Sequence, residues 1–352
     1  MKAAIYKAKG RLEIEDVPTP EPGPGQILVK VGHVAACGSD VHRVFHGHVS
    51  PGVVLGHEYS GTVAEVGEGV SRWRVGDRVV GGGGHAVGAS SDPVPTTGDA
   101  RRVVPDWEKR YTPRLLGHQG FPGTVEQGAF AEYTLMWDWQ PLSVPDQVTD
   151  AQAALVEPLA VSVHAVHRSR VLLGDTVAVI GLGPIGLLVA ECALAAGAAR
   201  VMGVDPSPAR RAAAETISLD VVIDPAQRDP VEKIVTASGG GADIVFECAG
   251  APNTLEQGLQ MLRAEGRLVH VALCWEPATV LPVDWVGREV DMVCCYAYGD
   301  SGWDVALDLI ARNRVDLSPL LGEESFFPLG SVQAAFDRCL VPDDVLKPIL
   351  VP

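Results

Sequence analysis

Four side chains in the first half of the chain are of types that bind metal ions. Cys37 is followed twenty residues later by His57 and Glu58, and Glu157 stands a hundred residues further on. Thiolate, imidazole and carboxylate groups are ligands of zinc, and a catalytic zinc keeps one coordination position open. Cys37 and His57 are therefore candidate ligands of a zinc ion that needs a third protein ligand. Either carboxylate could be that ligand, and both could alternate around a metal-bound water.

A second chemical motif is the glycine-rich turn GLGPIG at residues 181–186. It follows the apolar run TVAVI and opens a helical pattern, which is the context of a dinucleotide-binding turn. Gly181 allows the tight turn, Gly183 lets a pyrophosphate approach the backbone, and Gly186 permits close packing of helix on strand. Pro184 and Ile185 begin the helix, whose amino terminus attracts phosphate. The motif predicts a dinucleotide cofactor.

The choice between NAD and NADP depends on Asp205, which ends the next predicted strand about twenty residues later. A carboxylate at this place accepts hydrogen bonds from the adenosine ribose. No Lys or Arg follows it directly, so a 2′-phosphate would meet an unshielded negative charge. NAD is therefore favoured, and Arg210, a helical turn further on, is expected over the adenosine.

The elements that position these motifs change in character along the chain. The first 150 residues contain short β-type runs separated by Gly and Pro, which predicts a barrel-like β domain. From about residue 159, six strand candidates alternate with helices, which predicts a parallel sheet covered on both faces. The last segment is too short for a third domain. An α/β protein is expected, with residues 1–158 and 297–352 in one domain and 159–296 in the other.

The net charge and the cysteine content of the chain limit the kinds of binding partner that it can have. The chain has 352 residues, 28 basic and 44 acidic, for a net charge of −16. Such a surface repels nucleic acid and anionic membranes. Seven cysteines without a paired framework are typical of a reducing cytoplasm. The sequence shows neither a signal peptide nor an apolar run of ~20 residues that would span a bilayer.

GHE at residues 56–58, with Gly61, Gly67 and Val70, resembles the signature of the zinc-containing alcohol dehydrogenases of the medium-chain dehydrogenase/reductase family. Cys37 precedes this signature, and the glycine-rich turn follows it at a typical distance. The resemblance implies a GroES-like catalytic domain and a doubly wound Rossmann domain. It also implies zinc ligands at Cys37 and His57 and a carboxylate at Glu58. Glu157 is similar to a second carboxylate of the sorbitol, threonine and butanediol dehydrogenase branch.

The same resemblance assigns further roles. Ser39 and His42, two and five residues after Cys37, match a proton relay that leads from the alcohol to solvent. Asp40, between them, is a candidate acceptor for His57. The segments that follow the predicted fifth and sixth strands of the parallel sheet would contact the cofactor. Their contact residues would be Val271, Ala272, Leu273, Cys295 and Tyr296.

Two departures from the family pattern are visible: the cysteines of a second zinc site are missing, and Gly38 stands where some relatives place an Arg against the pyrophosphate. The structural zinc site of many relatives needs four closely spaced cysteines, and no cysteine lies between Cys37 and Cys192. One catalytic zinc and no structural zinc are therefore expected. Residues 85–122, which include His85 and His118, are predicted to form an irregular surface lobe without a metal. Arg43 stands where sorbitol dehydrogenases usually have tyrosine, and it could meet an anionic group.

These features predict an NAD-linked dehydrogenase that oxidises a secondary alcohol, such as a vicinal diol, polyol, hydroxyketone or amino alcohol, or reduces the matching ketone. A zinc-free reductase of enones or quinones is an alternative, but it would lack Cys37 and the His57-Glu58 pair. A non-catalytic dinucleotide-binding protein is a second alternative. The apolar run EVDMVCCYAY is expected at a sheet edge, which could pair with a second copy. A homodimer or homotetramer follows.

Overall fold

The computed structural model describes residues 1–81, 128–298, 302–341 and 345–352. The predicted lobe at residues 85–122, with His85 and His118, lies outside these ranges. Among the described residues, no helix is both long and apolar enough to cross a membrane.

The amino-terminal part of the chain is built from β-strands, as its short apolar runs predict. A hairpin of β1 and β2 precedes a seven-stranded sheet in the order β14-β15-β3-β4-β5-β7, with β6 paired to β3. The strands are β1 (Lys2–Ala8), β2 (Arg11–Asp16), β3 (Gln26–Ala35), β4 (Glu58–Val66), β5 (Arg78–Gly81), β6 (Tyr133–Trp137), β7 (Leu142–Ser143), β14 (Phe326–Pro328) and β15 (Ile349–Val351).

The second sheet is parallel and has six strands in the order β10-β9-β8-β11-β12-β13. This order reverses between β8 and β11, and ligands of doubly wound sheets bind at the carboxyl ends of the strands where it does so. The predicted Rossmann fold is confirmed. Its strands are β8 (Thr176–Ile180), β9 (Arg200–Val204), β10 (Val221–Ile223), β11 (Ala242–Glu247), β12 (Leu262–His270) and β13 (Asp291–Cys294).

Helices connect the strands and cover the parallel sheet. They are α1 (Gly38–His46), α2 (Asp150–Ala154), α3 (Val156–Ser169), α4 (Pro184–Ala196), α5 (Pro208–Thr216), α6 (Pro230–Ser238), α7 (Thr254–Met261), α8 (Pro282–Arg288), α9 (Gly302–Ala311) and α10 (Val332–Arg338). Short 3₁₀ helices lie at Ser318–Leu320, Glu323–Ser325 and Leu329–Ser331. Helix α4, the one opened by the glycine-rich turn, has Pro184 in its first turn and ends at Gly197, whose φ of 104° favours glycine.

The last third of the chain returns to both sheets. Helix α9 packs against α3, whereas β15 pairs with β3 and adds a strand to the amino-terminal sheet. Helix α3 runs through residue 158, where the sequence places a domain boundary, and its buried face joins the core beneath the parallel sheet. The cleft between the two sheets is therefore bordered by α1, α3 and the segments that follow β8, β12 and β13.

Candidate active site

The predicted metal ligands come together at the end of β3. Cys37 is the N-cap of α1, and its sulfur accepts a hydrogen bond from the Ser39 backbone N–H at 3.4 Å. His57 and Glu58 stand at the start of β4, where Glu58 pairs with Ala35. One ligand atom from each of Cys37, His57 and Glu58 lies within 4.8 Å of the others. A thiolate, an imidazole and a carboxylate so arranged fit a zinc ion.

Glu157 approaches the same cluster from the first turn of α3. Its Oε1 lies 4.0 Å from Nε2 of His57 and accepts a hydrogen bond of 2.6 Å from the Tyr298 hydroxyl. Burial, together with the charge of Glu58, raises the pKa of Glu157 to about 7, against the lowering influence of His57 and Tyr298. Both carboxylates thus face the cluster, and either Glu58 or Glu157 can supply the third metal ligand.

Lys347 is a member of this site that the sequence reasoning missed. Its ammonium lies 2.7 Å from Oε1 and 2.5 Å from Oε2 of Glu58, and its side chain is almost fully buried. It reaches the cluster because β15 pairs with β3 at Ala35, the residue that Glu58 faces from the other side. The only signal in the sequence was a lone cation in an apolar terminal run. The lysine offsets the negative charge that Glu58 and Glu157 bring to a buried place.

Asp40 supports the imidazole of His57, as the sequence suggested. The carboxylate is fully buried on α1, and its Oδ1 lies 3.5 Å from Nδ1 of His57. Burial lowers the pKa of His57, but the negative charges of Asp40 and Cys37 outweigh it and hold the pKa well above its usual value. With Asp40 on the Nδ1 side, Nε2 of the ring faces Glu157 and the cavity.

The two predicted relay residues line the cavity on successive turns of α1. The Ser39 hydroxyl donates to the Cys37 sulfur at 3.2 Å. The His42 ring stacks on His46 at 4.2 Å and on Trp275 at 3.9 Å between centroids. Burial, with the nearby His46, His48 and Arg43 side chains, lowers the pKa of His42. A neutral imidazole on the cavity wall can take up a proton.

A cavity of about 800 Å³ extends from this cluster to the glycine-rich turn. Its wall includes eleven of the twelve residues predicted to contact the dinucleotide: Gly181, Gly183, Pro184, Ile185, Asp205, Arg210, Val271, Ala272, Leu273, Cys295 and Tyr296. The exception is Gly186, where a Cβ would lie 1.8 Å from the Gly181 carbonyl oxygen, so this glycine serves the close packing of α4. A Cβ on Gly183 would meet nothing nearer than 3.8 Å, which leaves room for a pyrophosphate.

Asp205 is buried and lines the cavity where β9 ends. Oδ2 accepts from the Leu182 backbone N–H and Oδ1 from that of Ser207, both at 2.8 Å. The expectation that its charge is unshielded is wrong, because Nη1 of Arg210 lies 3.7 Å from Oδ2. Arg210 reaches it from the first turn of α5, the helix that follows Asp205 in the chain.

Comparison with known proteins agrees with this geometry. Residues 23–146 match the family described as alcohol dehydrogenase GroES-like domain, and residues 184–312 match zinc-binding dehydrogenase. The (R,R)-butanediol dehydrogenase of Bacillus subtilis (strain 168) is 34% identical over 324 residues, covering 85% of each chain. Sorbitol dehydrogenase of Homo sapiens is 33% identical over 341 residues, covering 95% of this chain and 91% of its own.

Solved structures give the same result. The crystal structure of 2R,3R-butanediol dehydrogenase from Bacillus subtilis has a TM-score of 0.86 and 30% identity, covering 100% of this chain and 99% of its own. The chain belongs to the zinc-binding alcohol dehydrogenases. As a member of this family it is an oxidoreductase that acts on CH–OH groups and uses zinc and a nicotinamide dinucleotide.

Proposed function

We propose that this zinc-binding dehydrogenase oxidises a secondary alcohol with a second oxygen nearby, of the vicinal diol, hydroxyketone or polyol class, using NAD. The observation that carries the proposal is that the Cys37, His57 and Glu58 cluster opens into the same cavity as the Gly181–Gly186 turn. An alcohol at the cluster can therefore stand beside the nicotinamide end of a cofactor whose pyrophosphate lies on the turn. The diol and polyol relatives support the substrate class.

Cys37, His57 and one of the two carboxylates would hold the zinc ion, which as a Lewis acid lowers the pKa of an alcohol while the nicotinamide accepts the hydride. The Ser39 hydroxyl, beside the Cys37 sulfur, is placed to accept the alcohol's proton and to donate its own onward. His42 offers the next acceptor on the wall of the cavity. Asp40 fixes the orientation of His57, and Lys347 pairs with Glu58.

A spectrophotometric screen tests this proposal. Zinc-loaded enzyme with NAD is offered butane-2,3-diol, sorbitol, an amino alcohol and propan-2-ol, and NADH formation is followed. Turnover of the diols and polyols above propan-2-ol supports the substrate class. Zinc-free protein that reduces enones or quinones with NAD(P)H would overturn it.

For the cofactor we propose a preference for NAD. Asp205 would present its carboxylate to the adenosine ribose, and its charge disfavours a 2′-phosphate there. Arg210 offsets that charge in part, so the preference is expected to be moderate. The domain limits that we propose are 1–158 with 297–352 for the catalytic domain and 159–296 for the dinucleotide domain.

We also propose that the enzyme is a homodimer or homotetramer. Strand β13 is the edge of the parallel sheet and exposes Met292, while α8 beside it exposes Val283 and Val286. An apolar edge of this kind is covered in stable proteins, and a twofold axis would pair two copies of it. Light scattering tests this, and a monomer at micromolar concentration would refute it. All seven cysteines are free, which supports a cytoplasmic location.

A further inference from the structure

Two aromatic side chains are exposed on the wall of the cavity. Trp275 is 60% exposed and Tyr296 is 42% exposed, and both line the cavity. Among the Phe, Tyr and Trp residues that the structure describes, these two alone are exposed to this extent, since the others are buried or half-buried. Large apolar surface that is left open in a cavity marks a place where a ligand binds.

Trp275 is held at the metal end of the cavity by its stack on His42. The two ring centroids lie 3.9 Å apart, and the ring planes differ by 8°. His42 stands on α1 five residues after Cys37, about 7 Å along the helix axis. One face of the indole is therefore covered by His42. The opposite face is open, within reach of a substituent on an alcohol bound at the metal cluster.

Tyr296 also lies near the metal cluster. It comes two residues before Tyr298, whose hydroxyl donates to Oε1 of Glu157 at 2.6 Å. Strands β12 and β13 are parallel neighbours, so the segments that follow them leave the sheet at the same end. These segments carry Trp275 and Tyr296. The two aromatic rings therefore border the part of the cavity that adjoins the metal cluster.

Few hydrogen-bonding side chains accompany these rings. On α1 and on the segments after β12 and β13, the hydroxyl and imidazole groups that line the cavity belong to Ser39, His42, Tyr296 and Tyr298. The Ser39 hydroxyl already donates to the Cys37 sulfur, and that of Tyr298 donates to Glu157. A polyol presents a row of hydroxyl groups, each of which needs a partner when it is buried. This wall therefore favours an apolar substituent over a polyol chain.

We propose that Trp275 and Tyr296 form an aromatic subsite, and that the substrate is a secondary alcohol or vicinal diol whose substituent carries an aromatic ring. The proposal rests on the dehydrogenase function above and narrows its substrate class. The ring of the substrate would stack on the open face of the Trp275 indole and contact the Tyr296 phenol, while the alcohol carbon lies at the metal cluster. Aromatic rings prefer offset-stacked or edge-to-face contacts, so a flat ring fits this place better than a saturated one.

Matched substrates test this with the zinc-loaded enzyme and saturating NAD. One pair is pentane-2,3-diol and 1-phenylbutane-2,3-diol, and the other is butan-2-ol and 1-phenylpropan-2-ol. In each pair a phenyl group replaces a methyl group, and a methylene keeps the ring out of conjugation with the ketone that forms. Wild type is expected to show a kcat/KM about 10- to 100-fold higher for the phenyl member, the range that burial of one aromatic side chain gives. The gain with 1-cyclohexylpropan-2-ol should be smaller.

Variants locate the effect at pH 8, where His42 is neutral because its pKa lies below 6.5. Trp275→Ala and Tyr296→Ala should each lower the phenyl-to-methyl ratio of kcat/KM about tenfold, mainly through the KM of the phenyl member. Tyr296→Phe keeps the ring and should keep the ratio. Leu173→Ala is the control, since Leu173 is 89% exposed and does not line the cavity, and its ratio should equal that of wild type. Thermal midpoints show that each variant is folded.

Three outcomes would overturn the subsite. The first is a wild type that turns over sorbitol, or the methyl member of both pairs, better than the phenyl members. The second is a pair of alanine variants that lower kcat/KM equally for both members of a pair. The third is that both alanine variants raise the dissociation constant of NADH, titrated without substrate, by as much as they lower the ratio, which would assign the rings to the cofactor. A zinc-loaded wild type that oxidises neither these alcohols nor sorbitol would instead overturn the proposed function.

Discussion

The imidazole of His42 lies flat on the indole of Trp275, with ring centroids 3.9 Å apart and ring planes 8° apart. His42 belongs to α1, in the part of the chain that carries the metal ligands. Trp275 follows β12, beyond the carboxyl end of that strand of the parallel sheet, and lines the cavity. The stack therefore spans the cleft and covers one face of the histidine that is proposed to receive the alcohol's proton.

Replacing Trp275 should change the pH profile of the enzyme. Burial is the largest cause that lowers the pKa of His42, so Trp275→Ala should raise that pKa toward 6.5. Because His42 must be neutral to accept a proton, the acid limb of kcat/KM should move to higher pH. The rate near pH 6 should fall by up to about fourfold, because an imidazole with a pKa of about 6.5 is still about one quarter neutral at that pH. Trp275→Phe keeps a ring in place and should follow wild type. An acid limb that is the same in all three proteins would contradict this.

Removing a metal ligand should separate chemistry from cofactor binding. Cys37→Ser and His57→Ala should each abolish turnover and lower the zinc content, while the glycine-rich turn still binds NAD. Metal analysis, NADH formation and a fluorescence titration with NADH measure the three properties. Cys294→Ser, an exposed cysteine on β13, is the control and should keep its zinc. Full activity in both ligand variants would show that the site is assigned wrongly.

The sequence predicted those features that depend on local spacing. The glycine-rich turn and its strand and helix follow from a few adjacent residues, and the structure confirms the fold around them. The pairing of Cys37 with His57 and Glu58 was predicted from ligand type and family resemblance. Its physical cause is the register of β3 against β4, which the sequence does not display.

Contacts between distant segments were not predictable. Lys347 reaches Glu58 only because β15 joins β3, and Tyr298 reaches Glu157 from the segment after β13. Neither Lys347 nor Tyr298 belongs to a sequence motif whose spacing would identify it as a site residue. Arg210 was expected over the adenosine, but its approach to Asp205 depends on how α5 is oriented after β9. Such orientations are set by packing of helices on the sheet.

Lys347 should be important for stability because it is the cation buried with two carboxylates. Lys347→Met leaves Glu58 buried without its partner, which should cost about 3–5 kcal/mol of unfolding free energy. Lys7→Met removes a lysine that pairs with Glu15 at the surface and should cost much less, because solvent screens an exposed ion pair. Urea unfolding of the two variants and wild type gives the comparison. Equal losses in both would contradict the proposed role of Lys347.

Cofactor choice should respond to the charge of Asp205. Asp205→Asn keeps an acceptor for the Leu182 or Ser207 N–H but removes the negative charge, which also frees Arg210 to meet a 2′-phosphate. The ratio of kcat/KM for NAD to that for NADP should fall about tenfold or more, as expected for one charge–phosphate contact. Asp224→Asn removes a carboxylate that pairs with Arg211 and is the control. Wild type that prefers NADP would show that Asp205 does not select NAD.

Glu191, on the buried side of α4, should make stability depend on pH. Burial raises its pKa to about 7, although the Asp316 backbone N–H donates to it. The folded protein therefore keeps this proton up to about pH 7, whereas the unfolded chain releases it near 4.5. Since the unfolded state binds fewer protons between these values, stability contributed by Glu191 falls as pH rises through that interval. The Glu191→Gln variant removes this pH dependence and keeps an acceptor for the Asp316 N–H. The variant should be more stable than wild type by about 1–2 kcal/mol at pH 8, after allowance for partial solvation, with no gain at pH 4.5. Urea unfolding at both pH values checks this, and a gain that is equal at the two would show that titration of Glu191 is not its cause.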